Sequence, residues 1–322
     1  MRNRITYFIT LLFILLTCAK SYAESFNVAL IKTKEAFSYN ETSKGYLNYT
    51  TKSKIYKDNE RIHINVDEYN LKGDESKAAE LIEEIEDKEY DIIVTLGRRA
   101  FESVKDKIKD RPIIFATMFN PYNSGGQPDE EDANVVGIEM DIPVPVQFEN
   151  LKSFIPYLQN IGVIYSASDS NRELIASAKK KADDLGLTLI AYEVNDESNV
   201  ASVLDTIVQE TDALWMIPDY AIFSKEVIKH VVLTTIENEI PFMGISKAFV
   251  KAGALFAVTR DFEDIGMQAA KMTFDIIKDG VPDEKKVIPL RKYPVVINKR
   301  TAESIDLRIP QWVSENAIEF FE

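Results

Sequence analysis

The stretch IGVIYSASDSN, residues 161–171, decides how this chain is read, because a short apolar run breaks there into a polar loop that opens a helix. Ile161, Val163, Ile164 and Tyr165 have the composition of a buried strand, and Ser166, Ser168, Asp169, Ser170 and Asn171 are all helix-capping types. Backbone N–H groups at such a helix start, aided by the helix dipole, favour a carboxylate or another anion. The carboxyl end of this strand is thus where a ligand is expected. The plainer alternative is that these residues only cap their own helix.

Working outward, apolar runs of strand length alternate with amphipathic helical segments on both sides. Strands are expected at 26–31, 61–69, 92–96 and 113–117, with helices at 41–52, 77–88 and 100–108. The second half repeats the rhythm, with strands at 161–165, 188–194, 213–217, 242–245 and 255–259, and helices at 172–185, 200–208, 225–236 and 265–278. Such alternation is that of parallel sheets covered on both faces. The halves also echo each other, since DIIVTLG (91–97) leads to AFES (100–103) and DALWMIP (212–218) leads to AIFS (221–224). Between them, residues 120–145 are rich in Pro, Gly, Asn and Asp and read as loop, with a crossover near Asp141-Ile142-Pro143.

The first residues carry a secretory signature. Arg2 and Arg4 precede the apolar run 8–16, and Ser21-Tyr22-Ala23 supplies small residues before Glu24. The run is shorter than the ~20 apolar residues that span a bilayer. Cleavage after Ala23 leaves 299 residues, and because the removed segment holds three basic residues and no acid, the net charge moves from −14 to −17. Cys18, the one cysteine, goes with it; lipidation at Cys18 is the rival fate, disfavoured by Thr17 where a lipobox takes a small residue. The protein is expected in the periplasm or secreted. So acidic a surface repels phosphate backbones and anionic lipid, which argues against a nucleic-acid or membrane-surface partner.

Catalysis finds little support. His63 and His230 lack a Cys or second His at metal-ligand spacing, and no Gly-x-Ser-x-Gly, Gly-x-Gly-x-x-Gly or P-loop pattern occurs. Glu80, Glu83, Glu84, Glu86, Asp87 and Glu89 read as a solvated helix face and its end. Neither a metal nor a cofactor is expected, and the chain reads as a non-enzyme.

Several longer motifs, IGVIYSASDSN, TDALWMIPDYAIFS, IPFMGISKAFVKAGALFAVTRDFEDIGMQAAKMTFDIIKDG and YPVVINKRTAESIDLRIP, together resemble the ABC-transporter substrate-binding family that includes tryptophan- and tyrosine-binding components. DIIVTLGRRAFESV, RPIIFATMFNPYNSGG and NVVGIEMDIPVPVQ are similar to the same family's first lobe. The resemblance implies an α/β type I periplasmic-binding-protein architecture, with two Rossmann-like lobes of parallel sheet joined by three crossovers. Lobe 1 would take residues 24–142 and about 262–282, and lobe 2 residues 143–261 and about 283–322. It further implies a monomer that captures a small organic ligand, an amino acid or related carboxylate, between closing lobes and presents it to an inner-membrane permease. The alternative is a periplasmic sensor subunit serving a membrane signalling protein.

In that architecture the ligand meets the residues just after each strand. These are Lys32, Thr33, Phe37, Gly97, Arg98 and Asn120 in the first lobe, and Ser166, Ser168, Ser170, Asn171, Asp219, Tyr220, Ser246, Arg260 and Asp261 in the second. Asp219 would take an ammonium while the 166–171 helix start holds a carboxylate. Two positions depart from the family, which commonly has Gly-Thr where this chain has Gly97-Arg98 and Asp-Pro where it has Asn120-Pro121. A guanidinium gained and a carboxylate lost shift that wall toward anions, unless Arg98 is an ordinary helix-start residue facing solvent.

Overall fold

The computed structural model describes residues 24–322 apart from 59, 123–125, 312, 314–316 and 322, together with the backbone but not the side chains of 75–77 and 317–319. The expected signal segment lies outside the described residues. The chain forms two compact units: one runs to Met140 and takes back Phe262–Pro289, and the other comprises Asp141–Asp261 and Leu290–Glu322. The backbone therefore passes between them three times.

The first unit contains β1 (Ser25–Lys32), α1 (Phe37–Lys52), a small hairpin of β2 (Tyr56–Lys57) and β3 (Glu60–Arg61), β4 (His63–Asn70), α2 (Glu75–Asp87), β5 (Ile92–Leu96), α3 (Arg98–Lys105), β6 (Ile113–Met118) and β7 (Val135–Glu139). Its six-stranded sheet has the order β13-β7-β6-β5-β1-β4, where β13 (Val287–Ile288) pairs in parallel with β7 and keeps the chain in this unit as far as Pro289. Every residue of β5 and β6 is buried, as strands covered on both faces require. The edge strand β4, HINVDEYN, carries its charges outward. From one face Ile31, Ile93, Ile113 and Phe115 pack on Ile82 and Ile85 of α2 and on Phe101 and Val104 of α3. On the other face lie α1 and α9 (Phe262–Asp279), which approach so closely that a Cβ on Gly45 would stand 2.0 Å from the Glu263 carbonyl oxygen, and one on Gly266 2.0 Å from that of Thr42.

The second unit contains α4 (Val144–Phe154), β8 (Asn160–Ser166), α5 (Asp169–Asp184), β9 (Thr188–Val194), α6 (Val200–Glu210), β10 (Ala213–Trp215), α7 (Lys225–Glu237), β11 (Phe242–Met243), α8 (Lys247–Ala252) and β12 (Phe256–Val258). After the return of the chain come β14 (Val295–Asn298), α10 (Lys299–Ser304) and β15 (Ala317–Phe321). The sheet order is β15-β14-β12-β11-β10-β8-β9, parallel except between β12 and β14. Phe154 stacks on Phe256 with centroids 4.0 Å apart, Phe148 meets Trp215 edge-on, and the Trp215 indole N–H donates to Gln147 at 2.8 Å. A second cluster of Leu204, Ile207, Val231 and Phe242 closes the other side.

The mixed α/β class with parallel sheets agrees with the sequence expectation. The stretch 120–145 does not, for β7 lies within it and α4 begins at its end. Five residues of VVGIE are outweighed in composition by the Pro, Asn and Asp around them, and only pairing with β6 and β13 identifies them as a strand. The echo between the halves has a structural counterpart. Asp91, just before β5, accepts the Asn27 N–H of β1 at 2.7 Å, and Asp212, just before β10, accepts the N–H groups of Gln159 and Asn160 at the start of β8 at 2.9 and 2.7 Å.

Candidate ligand-binding site

In each unit, the residues singled out from sequence fall along the carboxyl edge of adjacent parallel strands. In the first unit these are the ends of β1, β5 and β6, neighbours in the sheet, and in the second those of β8, β10, β11 and β12. The local chemistry sorts them into residues that build the edge and residues that remain presented on it.

Thr33 is buried; its hydroxyl donates to the Leu96 carbonyl at 3.1 Å and accepts the Ala100 N–H at 3.2 Å, tying the end of β1 to that of β5 and to the first turn of α3. Gly97 between them has φ 94°, and a Cβ there would stand 2.5 Å from the Tyr39 hydroxyl oxygen, so both backbone conformation and space demand glycine. Lys32 sits among carboxylates, 3.3 Å from Glu35 and 3.8 Å from Glu68, with the Asn40 side chain at 3.4 Å. Asn70 donates to Glu35, and Ser43 donates to Glu68 at 2.5 Å. Arg98 opens α3 with its side chain about half exposed and pairs with Glu102 one turn on at 3.4 Å. Asn120 is buried and braces its own loop, donating to the Gly126 carbonyl and to Glu139 at 3.0 Å each and accepting the Tyr122 N–H. Phe37 stands exposed at the start of α1, its ring centroid 6.3 Å from that of Phe262 at an interplanar angle of 89°.

In the second unit Ser168 caps α5 by accepting the Asn171 N–H at 3.2 Å, and its hydroxyl lies 3.4 Å from that of Ser170. Asp219 is buried, and its carboxylate collects three protein donors: the Ser166 N–H at 2.6 Å, the Asn171 side-chain amide at 2.8 Å and the Ala221 N–H at 3.2 Å. The same Asn171 amide reaches the Ser166 hydroxyl at 3.0 Å. These bonds lock the 166–171 loop to the loop after β10. Tyr220 next to Asp219 is exposed, and Ser246 occupies the N-terminal cap position of α8 without a side-chain capping bond. Arg260 is half-buried just after β12; burial lowers its guanidinium, opposed by the charge of Asp141 and the phenol of Tyr220. Asp261 lies 3.8 Å from Lys292.

Several residues of the edge carried no signal of their own in the sequence. Tyr39 and Thr42 belong to a helix whose apolar pattern is weak, yet Tyr39 sets the room at Gly97 and Thr42 accepts the Thr117 hydroxyl at 3.0 Å. Thr117 has φ 57°, a left-handed conformation rare for a β-branched residue, where the β6–β7 register shifts. Asp141 faces Arg260 electrostatically although the sequence marked it only as crossover. A separate cavity of about 380 Å³ opens between α2 and α3 over Leu71, Ala78 and Ile82, and none of the strand-end residues above lines it. His63 and His230 are exposed, and among the described residues no group of three or more His, Cys, Asp or Glu could hold a metal ion.

The ABC transporter substrate binding protein family matches residues 27–321, and the chain belongs to it. Its members bind small molecules and are not enzymes. A tyrosine-binding protein of Clostridioides difficile is 23% identical over 285 residues, which are 88% of this chain and 81% of that protein. Among solved structures, the ligand-free, open form of a substrate binding protein with adhesive properties from Clostridium difficile superposes with a TM-score of 0.74 at 20% identity, covering 92% of this chain and 99% of that one. An ABC domain from Streptococcus pneumonia in complex with L-Trp gives 0.57 at 24% identity, covering 92% and 100%. At these identities the two structures show the fold alone.

Proposed function

We propose that this protein captures an amino acid between the carboxyl edges of its two units after export to the periplasm, and delivers it to an inner-membrane permease. The reading is supported most by the way strand-end residues of both units separate into a braced frame and presented polar groups, an arrangement suited to holding a small polar molecule. The Tyr- and Trp-binding descriptions of two relatives favour a zwitterionic ligand. In this mechanism Asp219 shapes the 166–171 loop and contributes negative charge near the ammonium, while the helix start of α5 and Arg260 favour the carboxylate. Contacts to both units exist only when the lobes have closed on the ligand, so binding favours the closed form a permease would recognise.

Calorimetry with L-tyrosine, L-tryptophan, L-leucine, L-glutamate and succinate tests it. An α-amino acid is expected to bind, and Asp219→Asn to weaken it by about 1.5–3 kcal/mol, roughly ten- to a hundredfold. Arg98→Ala should change affinity by less than about twofold, since that side chain pairs with Glu102 on a helix surface. Binding of succinate alone, with Arg98→Ala the damaging change, would overturn the amino-acid reading.

A further inference from the structure

The cavity between α2 and α3 is walled by fixed parts of the first unit and lies apart from the strand-end residues assigned to the ligand. Leu71 and Ile82, both buried, form its apolar floor. Ala78 and Ala79 of α2 keep it open, because longer side chains there would close the gap between the helices. On the α3 side Ser103 returns its hydroxyl to the Ala100 carbonyl at 2.8 Å and so adds no free polar group to the wall. The loop at one end is tied down, with the Leu71 N–H donating to the Lys32 carbonyl and the Gly73 N–H to that of Thr33, each at 2.9 Å. At about 380 Å³ the cavity falls within the range of small-molecule sites, roughly 300–1,000 Å³.

Its mouth carries carboxylates as well as cations, but the carboxylates are already answered. Glu102 pairs with Arg98 at 3.4 Å, Asp106 lies 3.9 Å from Lys105, and Asp74 is engaged within the protein too. Lys107, by contrast, is exposed and has no ion pair among the described residues. Arg99 donates one N–H to the Gly73 carbonyl at 2.9 Å, leaving the rest of its guanidinium donors to spare. The charge left over at the mouth is therefore positive, above an apolar floor. We propose that this cavity is a second binding site, for a small monocarboxylate with an unbranched apolar body. The apolar chain lies on Leu71, Ile82 and the two alanines, and the carboxylate meets Lys107 and the remaining Arg99 donors. This site is separate from the amino-acid site proposed above and does not depend on it.

Calorimetry on the full chain with octanoate tests the proposal, using octan-1-ol and octylamine as neutral and cationic chains of the same length. Octanoate should bind with a dissociation constant below about 1 mM, octan-1-ol about fivefold or more weakly, and octylamine not measurably. Lys107→Gln should weaken octanoate by about threefold to tenfold and change octan-1-ol by less than about twofold. Ala79→Leu, which fills the cavity with an apolar group of its own, should weaken both by about tenfold or more. Both positions are exposed, so the unfolding midpoint should stay unchanged, separating loss of binding from loss of fold. A wild type that binds no octanoate, or binding that Ala79→Leu leaves intact, would overturn the site. Equal affinity for octanoate and octan-1-ol, or indifference to Lys107→Gln, would overturn the carboxylate assignment.

Discussion

Asp132 shows what a single buried carboxylate does here. It accepts Lys105 at 2.8 Å, Lys109 at 2.9 Å and the Tyr122 hydroxyl at 2.8 Å, joining the loop before β7 to α3. Burial alone would raise this carboxyl, but the three bonds outweigh it and bring it from 3.8 down to about 2. A depressed carboxyl stabilises the fold above its unfolded value, and that contribution fades as the pH falls through 4 toward 2. The full shift would amount to about 2.5 kcal/mol, and solvent around the lysines reduces this to about 1–2 kcal/mol. Asp132→Asn should therefore lose about that much in urea unfolding at pH 7, with the gap to wild type narrowing as the pH falls below 4 and closing only as it passes below about 2; a gap independent of pH would contradict the linkage. Asp219, Thr33 and Asn120 follow the same pattern at strand ends. Each was singled out from sequence as a ligand contact, and each is held by protein partners. Sequence position identified the edge, but which polar atoms a neighbour has already taken is a matter of tertiary geometry.

At the scale of elements, the crossing of α1 and α9 is the least forgiving joint. Gly266 lies where a Cβ would meet the Thr42 carbonyl oxygen at 2.0 Å and the Tyr46 nitrogen at 2.7 Å, both backbone atoms that no rotamer change can move aside. Gly266→Ala should cost about 1–3 kcal/mol by forcing the helices apart, read as a lower unfolding midpoint. Lys278→Ala, at the exposed end of the same helix, should stay within about 0.5 kcal/mol and serves as the control. The separation of Thr42 and Gly266 along the sequence gave no hint of contact. By contrast β5, β6 and β8 were legible as strands because their apolar runs are long enough to stand out, whereas β13, two residues long, exists only through its pairing with β7.

At the scale of the molecule, three passages of the chain join the two units, after Met140, Asp261 and Pro289. Three chain passages allow a hinge but oppose dissociation of the units, which suits the closure proposed above. Small-angle scattering should record a smaller radius of gyration once a ligand of proven affinity saturates the protein, and an unchanged radius would contradict closure. The net charge of −14 acts at this scale too, disfavouring polyanionic partners while leaving a small zwitterion free to bind.

Sequence by itself determined the α/β class, the order of most strands and helices, and the family, because buried parallel strands and amphipathic helices leave periodic apolar patterns that need no partner to be seen. It also located the strand ends that the proposed function assigns to the ligand. Tertiary structure alone decided that Asp219 and Thr33 brace loops, that Arg98 answers Glu102, that Asp141 faces Arg260, and that Phe37 finds Phe262 across more than two hundred residues. The physical reason is range: periodicity and capping are written within a few neighbouring residues, whereas the partner of a polar atom or a ring is chosen by packing between elements far apart in the chain.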